Sequence, residues 1–149
     1  MDDEGYIREA IELAEKAVEK GNTPFGSLLV IDDEVVRRSR NTTVTEEDIT
    51  AHPELKLARW AARELDAEER AACTMYTSTE PCEMCSAAIH YAGLDRVVFS
   101  VPTGALADLR GTEASGFTCT ELIAAKGGET TVEGPILEAE GLAVHEQFD

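Results

Sequence analysis

Two short stretches of the sequence decide the fold and the chemistry: residues 77–85 read TSTEPCEMC, and residues 50–54 read TAHPE. The first stretch holds Cys82 and Cys85, and two thiolates one helical turn apart at the start of a helix can bind one zinc ion. The second stretch offers His52 as a third ligand. Three protein ligands leave the fourth zinc position open for water, as a catalytic site requires. We predict one Zn²⁺ per chain, held by His52, Cys82 and Cys85.

Glu54 is the candidate catalytic residue beside this metal. An ideal helix would point His52 and Glu54 to nearly opposite sides, because they are two residues apart. Pro53 changes this, since proline suits the first helical position and makes His52 the cap, outside helical geometry. Glu54 can then face a zinc-bound water, whose pKa falls to about 7, and act as its proton shuttle.

Two other kinds of site use the same C-x-x-C spacing. A redox pair would explain neither the His52-x-Glu54 pattern nor Pro81. A structural zinc site would need a fourth ligand, for which Cys73 or Cys119 could be offered. A purely structural site needs no proton shuttle, so an intact Glu54 argues against a non-catalytic zinc module.

The pattern along the 149 residues is that of a single α/β domain. A strand pair followed by alternating helices and strands predicts a three-layer arrangement of helices, sheet and helices. The last third carries weaker patterns, ending in a helix and tail over residues 135–149. The predicted helices cover residues 3–20, 53–65, 82–92, 120–125 and 135–146; the predicted strands cover 27–31, 35–39, 74–77, 96–101 and 130–132. The segment 102–116 is predicted as a loop with room for one helical turn, and its place at the C-terminal end of a strand makes it a second candidate for substrate selection.

The paired motifs H-x-E and P-C-x-x-C are the signature of zinc nucleobase deaminases. On these motifs the chain resembles the cytidine and deoxycytidylate deaminase superfamily, in its guanine deaminase, cytosine deaminase and tRNA adenosine deaminase branch. The resemblance covers about residues 24–101. It implies a cytidine deaminase-like α/β/α sandwich around a mixed sheet of about five strands, and a homodimer or larger homo-oligomer. It also implies hydrolytic release of ammonia from a ring.

The resemblance extends to three candidate substrate-binding residues. Asn41 lies eleven residues before His52, the spacing of the base-contacting asparagine in such enzymes, although an asparagine in a polar loop is also a turn former. Phe25, in the Pro24-Phe25-Gly26 motif, is a candidate core residue and a candidate substrate stacker. Pro53 stands where relatives carry a small residue whose N–H contacts the base; proline has no N–H, so that contact must differ here.

Four more residues complete the candidate site. Glu80 and Pro81 precede the zinc cysteines; Glu80 is expected to hydrogen-bond the zinc loop or to act as a helix-start carboxylate. Phe148 and Asp149 are lid candidates, because related base deaminases close an aromatic or acidic C-terminal segment over the substrate.

The charge balance bears on the partners. Thirty acidic and thirteen basic residues give a net charge of −17, which is typical of a solvated surface in a salty cytoplasm. No basic face is evident, so nucleic acid is not an expected partner. No membrane segment and no signal peptide are evident, so we expect a cytoplasmic enzyme. The expected substrate is a free nucleobase or nucleoside, guanine-like first and cytosine-like second, with tRNA adenosine as the alternative.

Overall fold

The computed structural model of the chain describes residues 1–114 and 116–148. Seven helices and five strands are formed by these residues. The helices are α1 (Asp3–Glu19), α2 (Pro53–Glu64), α3 (Ala67–Arg70), α4 (Glu83–Ala92), α5 (Thr103–Leu109), α6 (Cys119–Ala125) and α7 (Glu138–Phe148). The strands are β1 (Gly26–Ile31), β2 (Glu34–Arg40), β3 (Thr74–Thr79), β4 (Arg96–Val101) and β5 (Thr131–Glu133).

The strands form one mixed sheet in the order β2-β1-β3-β4-β5. β1 pairs antiparallel with β2 and with β3, whereas the pairs β3–β4 and β4–β5 are parallel. The β1–β2 turn places Asp32 and Asp33 at positive φ, a conformation that aspartate tolerates in tight hairpin turns. The predicted three-layer α/β/α sandwich with a five-stranded mixed sheet is confirmed.

Alternate side chains of the central strands serve two cores, one on each face of the sheet. On one face, Leu28, Tyr76 and Val98 pack with the buried side of α1 and with Val144 of α7. On the other, Leu29, Met75 and Val97 pack with α2 and α4. Because α2 and α4 lie side by side on the second face, their N-termini meet near the carboxyl end of β3.

The structure differs from the predicted elements at several places. α3 was not predicted, although Asp66 and Glu69 form a capping box at its start. β3 continues to Thr79, beyond the predicted end at Thr77, because its polar side chains are buried and hydrogen-bonded; one example is the Ser27 hydroxyl, which donates to Thr77 Oγ1 over 2.8 Å. α7 begins at Glu138 and not at Pro135, since Leu137 has φ of 53°, which cannot continue a helix.

The end of β1 nearest the site is held tightly against α1. A Cβ added to Gly26 would lie 2.5 Å from the Ala10 oxygen and from the Ala14 nitrogen. Only glycine therefore lets α1 approach the strand this closely. None of the helices in the described parts of the chain has the length and apolar character of a membrane span.

Candidate metal centre and substrate pocket

The three predicted ligands come from the starts of two adjacent helices. His52 is the N-cap of α2, with Pro53 in the first turn of that helix, and Cys82 is the N-cap of α4. Cys85 follows in the first turn of α4 and is fully buried. Cys82 itself is the N-cap, so α4 begins at Glu83, one residue later than predicted, and Pro81 immediately precedes the cap. The free N–H groups and the dipoles of both helices favour anionic sulfur at this place.

The side chains of His52, Cys82 and Cys85 converge on one point. Their ligand atoms all lie within 4.8 Å of one another, with His52 Nδ1 3.7 Å from Cys82 Sγ and 3.5 Å from Cys85 Sγ. A zinc ion with Zn–S about 2.3 Å, Zn–N about 2.0 Å and a tetrahedral angle would separate sulfur and nitrogen by about 3.5 Å. The donor set and its spacing therefore fit zinc.

No fourth protein ligand joins this cluster among the residues that the structure describes. Cys73 lies before β3, at the opposite end of the strand from the cluster, and Cys119 is buried at the start of α6. Cys73 and Cys119, the two candidates for the fourth ligand of a structural zinc site, therefore lie outside the cluster of His52, Cys82 and Cys85. A three-ligand site with one open position is the arrangement of catalytic zinc.

The three ligands share protons in a way that prepares them for a cation. The pKa of Cys82 is lowered to about 4, first because Cys85 hydrogen-bonds to it and then because His52 does. The pKa of Cys85 is raised, first by its hydrogen bond to Cys82 and then by burial. The pKa of His52 is raised by its hydrogen bond to Cys82. A divalent cation at this place would displace the shared protons.

Glu54 lies beside the cluster in a setting suited to proton transfer. Its side chain is 4% exposed, and burial raises the pKa of its carboxyl to about 7. Within the described residues, Glu54 Oε1 is buried with no hydrogen-bond partner. An unpaired buried carboxylate oxygen is costly unless something else binds it. A group with pKa near neutrality is well matched to take and return a proton.

A pocket of about 190 Å³ opens in front of His52 and Glu54. Its wall is largely apolar, and Phe25 and Leu106 are among its apolar lining side chains. The lining residues of the pocket are Phe25, His52, Glu54, Thr79, Glu80, Cys82, Thr103, Leu106 and Arg110. Of these, the sequence did not single out Thr79, Thr103, Leu106 or Arg110, although the 102–116 segment had the position expected for substrate selection after a strand.

Asn41 lies next to the site but not among the pocket-lining residues. It is 2% exposed, and its Oδ1 accepts hydrogen bonds from Thr43 N over 3.0 Å and from Thr43 Oγ1 over 2.8 Å. Its backbone nitrogen donates to the Phe25 oxygen over 2.9 Å. The side-chain oxygen of Asn41 is therefore occupied in a turn, as a turn-forming asparagine predicts, and its side-chain nitrogen is available to donate a hydrogen bond.

Glu80 links the pocket to two helices. It is 7% exposed. Its Oε1 accepts from Thr103 N and Thr103 Oγ1, and its Oε2 accepts from Cys119 N over 2.9 Å. It therefore fixes the starts of α5 and α6 beside the zinc loop. The neighbouring Pro81 carbonyl accepts from Ser86 Oγ over 3.2 Å, which joins the loop to α4.

The C-terminal helix reaches the pocket through His145 and not through Phe148. The His145 ring is 1% exposed, lies 2.9 Å from Thr79 Oγ1 through Nε2, and stands edge-on to Phe25 at 5.3 Å. Phe148 lies at a groove between α1 and α7 with Val18, away from the pocket-lining set, because the helix turns it to the opposite side. The lid expected from Phe148 is not formed in this conformation, and Asp149 lies outside the described residues.

Comparison with known proteins agrees with the site. Residues 1–101 match the model of the family described as the cytidine and deoxycytidylate deaminase zinc-binding region. The fold and the His/Cys/Cys site define a zinc-binding hydrolase of C–N bonds. The chain belongs to the cytidine and deoxycytidylate deaminase family, whose cofactor is zinc.

The relatives of the chain differ in their substrates. A probable cytosine deaminase of Schizosaccharomyces pombe is 33% identical over 98% of this chain and 91% of its own length. A tRNA-specific adenosine deaminase of Bacillus subtilis is 39% identical over 65% of this chain and 60% of its own length. The crystal structure of a Bacillus subtilis guanine deaminase superposes with a TM-score of 0.68 at 33% identity, covering 76% of this chain and 73% of that one.

Proposed function

We propose that the protein is a hydrolytic deaminase of a free nucleobase, with His52, Cys82 and Cys85 as zinc ligands and Glu54 as the proton shuttle. The observation that carries the proposal is the unpaired, buried Glu54 carboxylate beside three ligand atoms that leave one metal position open. The pocket of about 190 Å³ in front of them suits a single heterocyclic ring. Its apolar walls suit the two faces of such a ring.

The roles of the side chains follow from their places. Zinc supplies a Lewis acid that makes water nucleophilic at neutral pH. Glu54 takes one proton from the attacking water and gives it to the ring nitrogen next to the amino-bearing carbon. Glu54 then moves the second water proton to the amino group, the C–N bond breaks, ammonia leaves and a ring carbonyl remains. A carboxyl with pKa about 7 can take and release protons in this way.

The side chains expected to hold the ring are Phe25 and Leu106, which line the pocket, and Asn41, which lies beside it. Phe25 is held edge-on by His145, so one wall of the pocket is rigid. The Asn41 amide nitrogen is a donor suited to a ring carbonyl or a ring nitrogen. Pro53 has no N–H to add a second such donor. The ring must therefore be held with fewer backbone contacts than the family pattern supplies.

Cytosine is proposed as the first substrate and guanine as the second, reversing the order expected from the sequence. The support for this order is the relative described as a probable cytosine deaminase, which aligns with nearly the whole chain, including the C-terminal part that provides His145. An adenine base carried by tRNA is the second candidate function. One observation favours it: five cationic side chains line a groove between β2 and α2, namely Arg37, Arg38, Lys56, Arg59 and Arg63.

An ammonia-release screen tests the proposal. The zinc-loaded protein is incubated in high potassium chloride with cytosine, guanine, adenine, their nucleosides and tRNA, and product is identified by mass. Release of ammonia from a free base, with product one mass unit heavier, is expected. Release only from tRNA would replace the first candidate by the second, and no release from any of them would contradict the proposed activity.

A further inference from the structure

A buried polar pair of side chains joins the C-terminal helix to the wall of the substrate pocket. Thr79 lines the pocket together with His52 and Glu54. Its Oγ1 lies 2.9 Å from Nε2 of His145, and both side chains are buried. His145 is not among the described lining residues, so it acts on the pocket only through the side chains that it contacts.

The same imidazole contacts a second side chain that lines the pocket. The ring centres of His145 and Phe25 lie 5.3 Å apart with an interplanar angle of 68°, which is an edge-to-face arrangement favoured by aromatic rings. Phe25 precedes β1, and Thr79 ends β3. These strands pair antiparallel with Ser27 opposite Thr77, which brings Phe25 and Thr79 to the same end of the sheet. One side chain of α7 therefore holds an apolar and a polar part of one wall.

The position of His145 is fixed by the docking of α7 on the sheet. Gly141, four residues before His145, lies so close to β4 that an added Cβ would be 2.4 Å from Ser100 Oγ and 2.8 Å from Val101 Cγ2. Val101 pairs with Thr79 in the β3–β4 ladder. Residues four apart share one face of a helix, so the face of α7 that packs on Val101 also directs His145 towards Thr79. The fold therefore sets the place of the imidazole before any substrate binds.

Packing alone does not require a polar pair at this place. Two apolar side chains of the same shape can replace a buried hydrogen-bonded pair with little or no loss of stability. The pair instead puts a hydroxyl into a wall that is otherwise largely apolar. The other hydroxyl in the described lining belongs to Thr103, and its proton is already used in the hydrogen bond that it donates to Glu80 Oε1 over 2.7 Å. Thr79 is therefore the better placed of the two hydroxyls to bind a ligand.

The Thr79 hydroxyl keeps the capacity for a second hydrogen bond. Among the described residues its partner is His145, and a threonine hydroxyl has one proton and two lone pairs. When His145 donates from Nε2, the Thr79 proton is free for an acceptor on the substrate ring. When His145 accepts at Nε2, the Thr79 oxygen can take an N–H of the ring. In both states the imidazole fixes the direction in which the remaining position points.

We propose that Thr79 and His145 form a specificity-determining pair, in which Thr79 hydrogen-bonds a polar atom at the edge of the substrate ring and His145 positions the hydroxyl. The inference rests on the proposed function, because it needs a heterocyclic base in the pocket. His145 is a positioning residue, since it contacts the lining side chains and not the substrate. The contact has added weight here, because Pro53 has no N–H to offer the ring.

The contact is expected to act on substrate binding and not on the chemical step. It is made to a part of the ring that the reaction leaves unchanged, whereas zinc and Glu54 act at the amino-bearing carbon. A contact of equal strength in the ground state and in the transition state changes KM and leaves kcat unchanged. Damage to the fold or loss of zinc has a different signature, since it lowers the active fraction, and with it kcat, at constant KM.

Steady-state kinetics of Thr79→Val tests the pair, with the free base that the zinc-loaded wild type deaminates fastest among cytosine, guanine and adenine. Valine keeps the shape of threonine and removes the hydroxyl, so KM should rise by about three- to tenfold, the value of one neutral hydrogen bond, at nearly constant kcat. The matched control is Thr77→Val, the same change on the same strand at a buried hydroxyl outside the described lining. It breaks the hydrogen bond with Ser27 and should lower thermal stability without changing KM.

Two further variants test His145. His145→Leu keeps an apolar side chain against Phe25 and removes the hydrogen bond, so it should raise KM as Thr79→Val does. The double variant should raise KM no further than either single change, since both remove the same contact. His145→Gln places an amide nitrogen at about the reach of Nε2 and should recover most of the wild-type KM. Zinc content and thermal unfolding verify that each variant is loaded and folded.

The outcomes separate this inference from the proposed function. A wild-type KM in folded Thr79→Val or in His145→Leu, or additive effects of the two changes, would overturn the inference while deamination itself stands. If Thr79→Val does not fold, the comparison of His145→Leu with His145→Gln decides alone, and equal KM values in these two variants would overturn the inference. No ammonia from any free base with the wild-type protein would instead overturn the proposed function, and the inference with it.

Discussion

Glu80 accepts two hydrogen bonds from a single residue, Thr103, whose backbone nitrogen lies 3.0 Å and whose hydroxyl lies 2.7 Å from Glu80 Oε1. This pair ties the end of the zinc-loop strand to the first residue of α5, the helix that forms the far wall of the pocket. The second oxygen of Glu80 ties the same point to Cys119 at the start of α6. The metal loop and the substrate wall are thus positioned by one buried carboxylate.

Replacing this carboxylate is expected to loosen both walls of the site. In Glu80→Gln, an amide nitrogen must face a backbone N–H, which leaves buried groups unpaired at a cost of about 1–3 kcal/mol in unfolding free energy. We expect lower thermal stability and a lower kcat for base deamination, with zinc content preserved. Glu83→Gln, an exposed carboxylate of the same helix start, is the control. Wild-type stability and kcat in Glu80→Gln would contradict this role.

The close approach of α1 to β1 predicts a strong effect of one added methyl group. Gly26→Ala would place a carbon 2.5 Å from backbone atoms of α1, and such overpacking typically costs about 1–3 kcal/mol. Gly104→Ala is the matched control, because nothing lies within 4 Å of its added Cβ and alanine favours helix by about 1 kcal/mol. Chemical denaturation should show a lower free energy of unfolding for Gly26→Ala and a higher one for Gly104→Ala. Equal free energies of unfolding for the two variants would contradict the packing argument.

An acid-dependent contribution to stability is expected from Asp3. Its carboxylate accepts from Arg96 Nη2 over 2.6 Å and from Tyr76 Oη over 2.6 Å. The Arg96 hydrogen bond lowers the pKa of Asp3 below its usual 3.8. A lowered folded-state pKa gives stability that is present above the unfolded pKa and lost as pH falls through the folded one.

Asp3→Asn should therefore be less stable than wild type at neutral pH, by about 1 kcal/mol because the pair is partly exposed. The gap should shrink as the pH falls below about 4, the ordinary pKa of an aspartate. Urea unfolding across this range measures it, with exposed Asp108→Asn as the control. A gap that stays constant with pH would exclude the charged pair as its source.

The three metal ligands could be predicted from the sequence because each of them lies at the start of a helix. Proline before Glu54, and proline before Cys82, mark the two N-termini, so the local geometry of each ligand follows from neighbouring residues. The three-layer arrangement followed from the strand pair and the later alternation of helices and strands, whereas the order of the strands in the sheet was not predicted. The resemblance to zinc deaminases added the expectation that the H-x-E motif and the P-C-x-x-C motif, which are separated by 26 residues, lie together in the fold.

The walls of the pocket and the cationic groove between β2 and α2 depend on tertiary contacts, which the order of residues along the chain does not reveal. His145 lies in a tail that would normally be expected to fray, yet it is buried against Thr79. The stripe of Lys56, Arg59 and Arg63 could have been noted from its helical spacing. Its joining with Arg37 depends on the edge strand lying beside α2, which spacing alone does not reveal.

Pro53 is expected to influence which ring is accepted. Pro53→Ala restores an N–H at the first position of α2, where helix N–H groups have no partner within the helix. The ratio of kcat/KM for cytosine to that for guanine should change, while zinc content should not. Steady-state kinetics with metal analysis measures both quantities. An unchanged ratio would mean that this backbone position does not contact the base.

Ammonia release by Glu54→Gln tests the central claim most directly. The substitution keeps the size of the side chain and removes its ability to take a proton. It should leave zinc near one equivalent per chain and the fold intact, and reduce deamination by at least the factor of 10² to 10⁴ typical of a lost general base. Deamination at the wild-type rate, with zinc bound, would contradict the assignment of Glu54 as the proton shuttle.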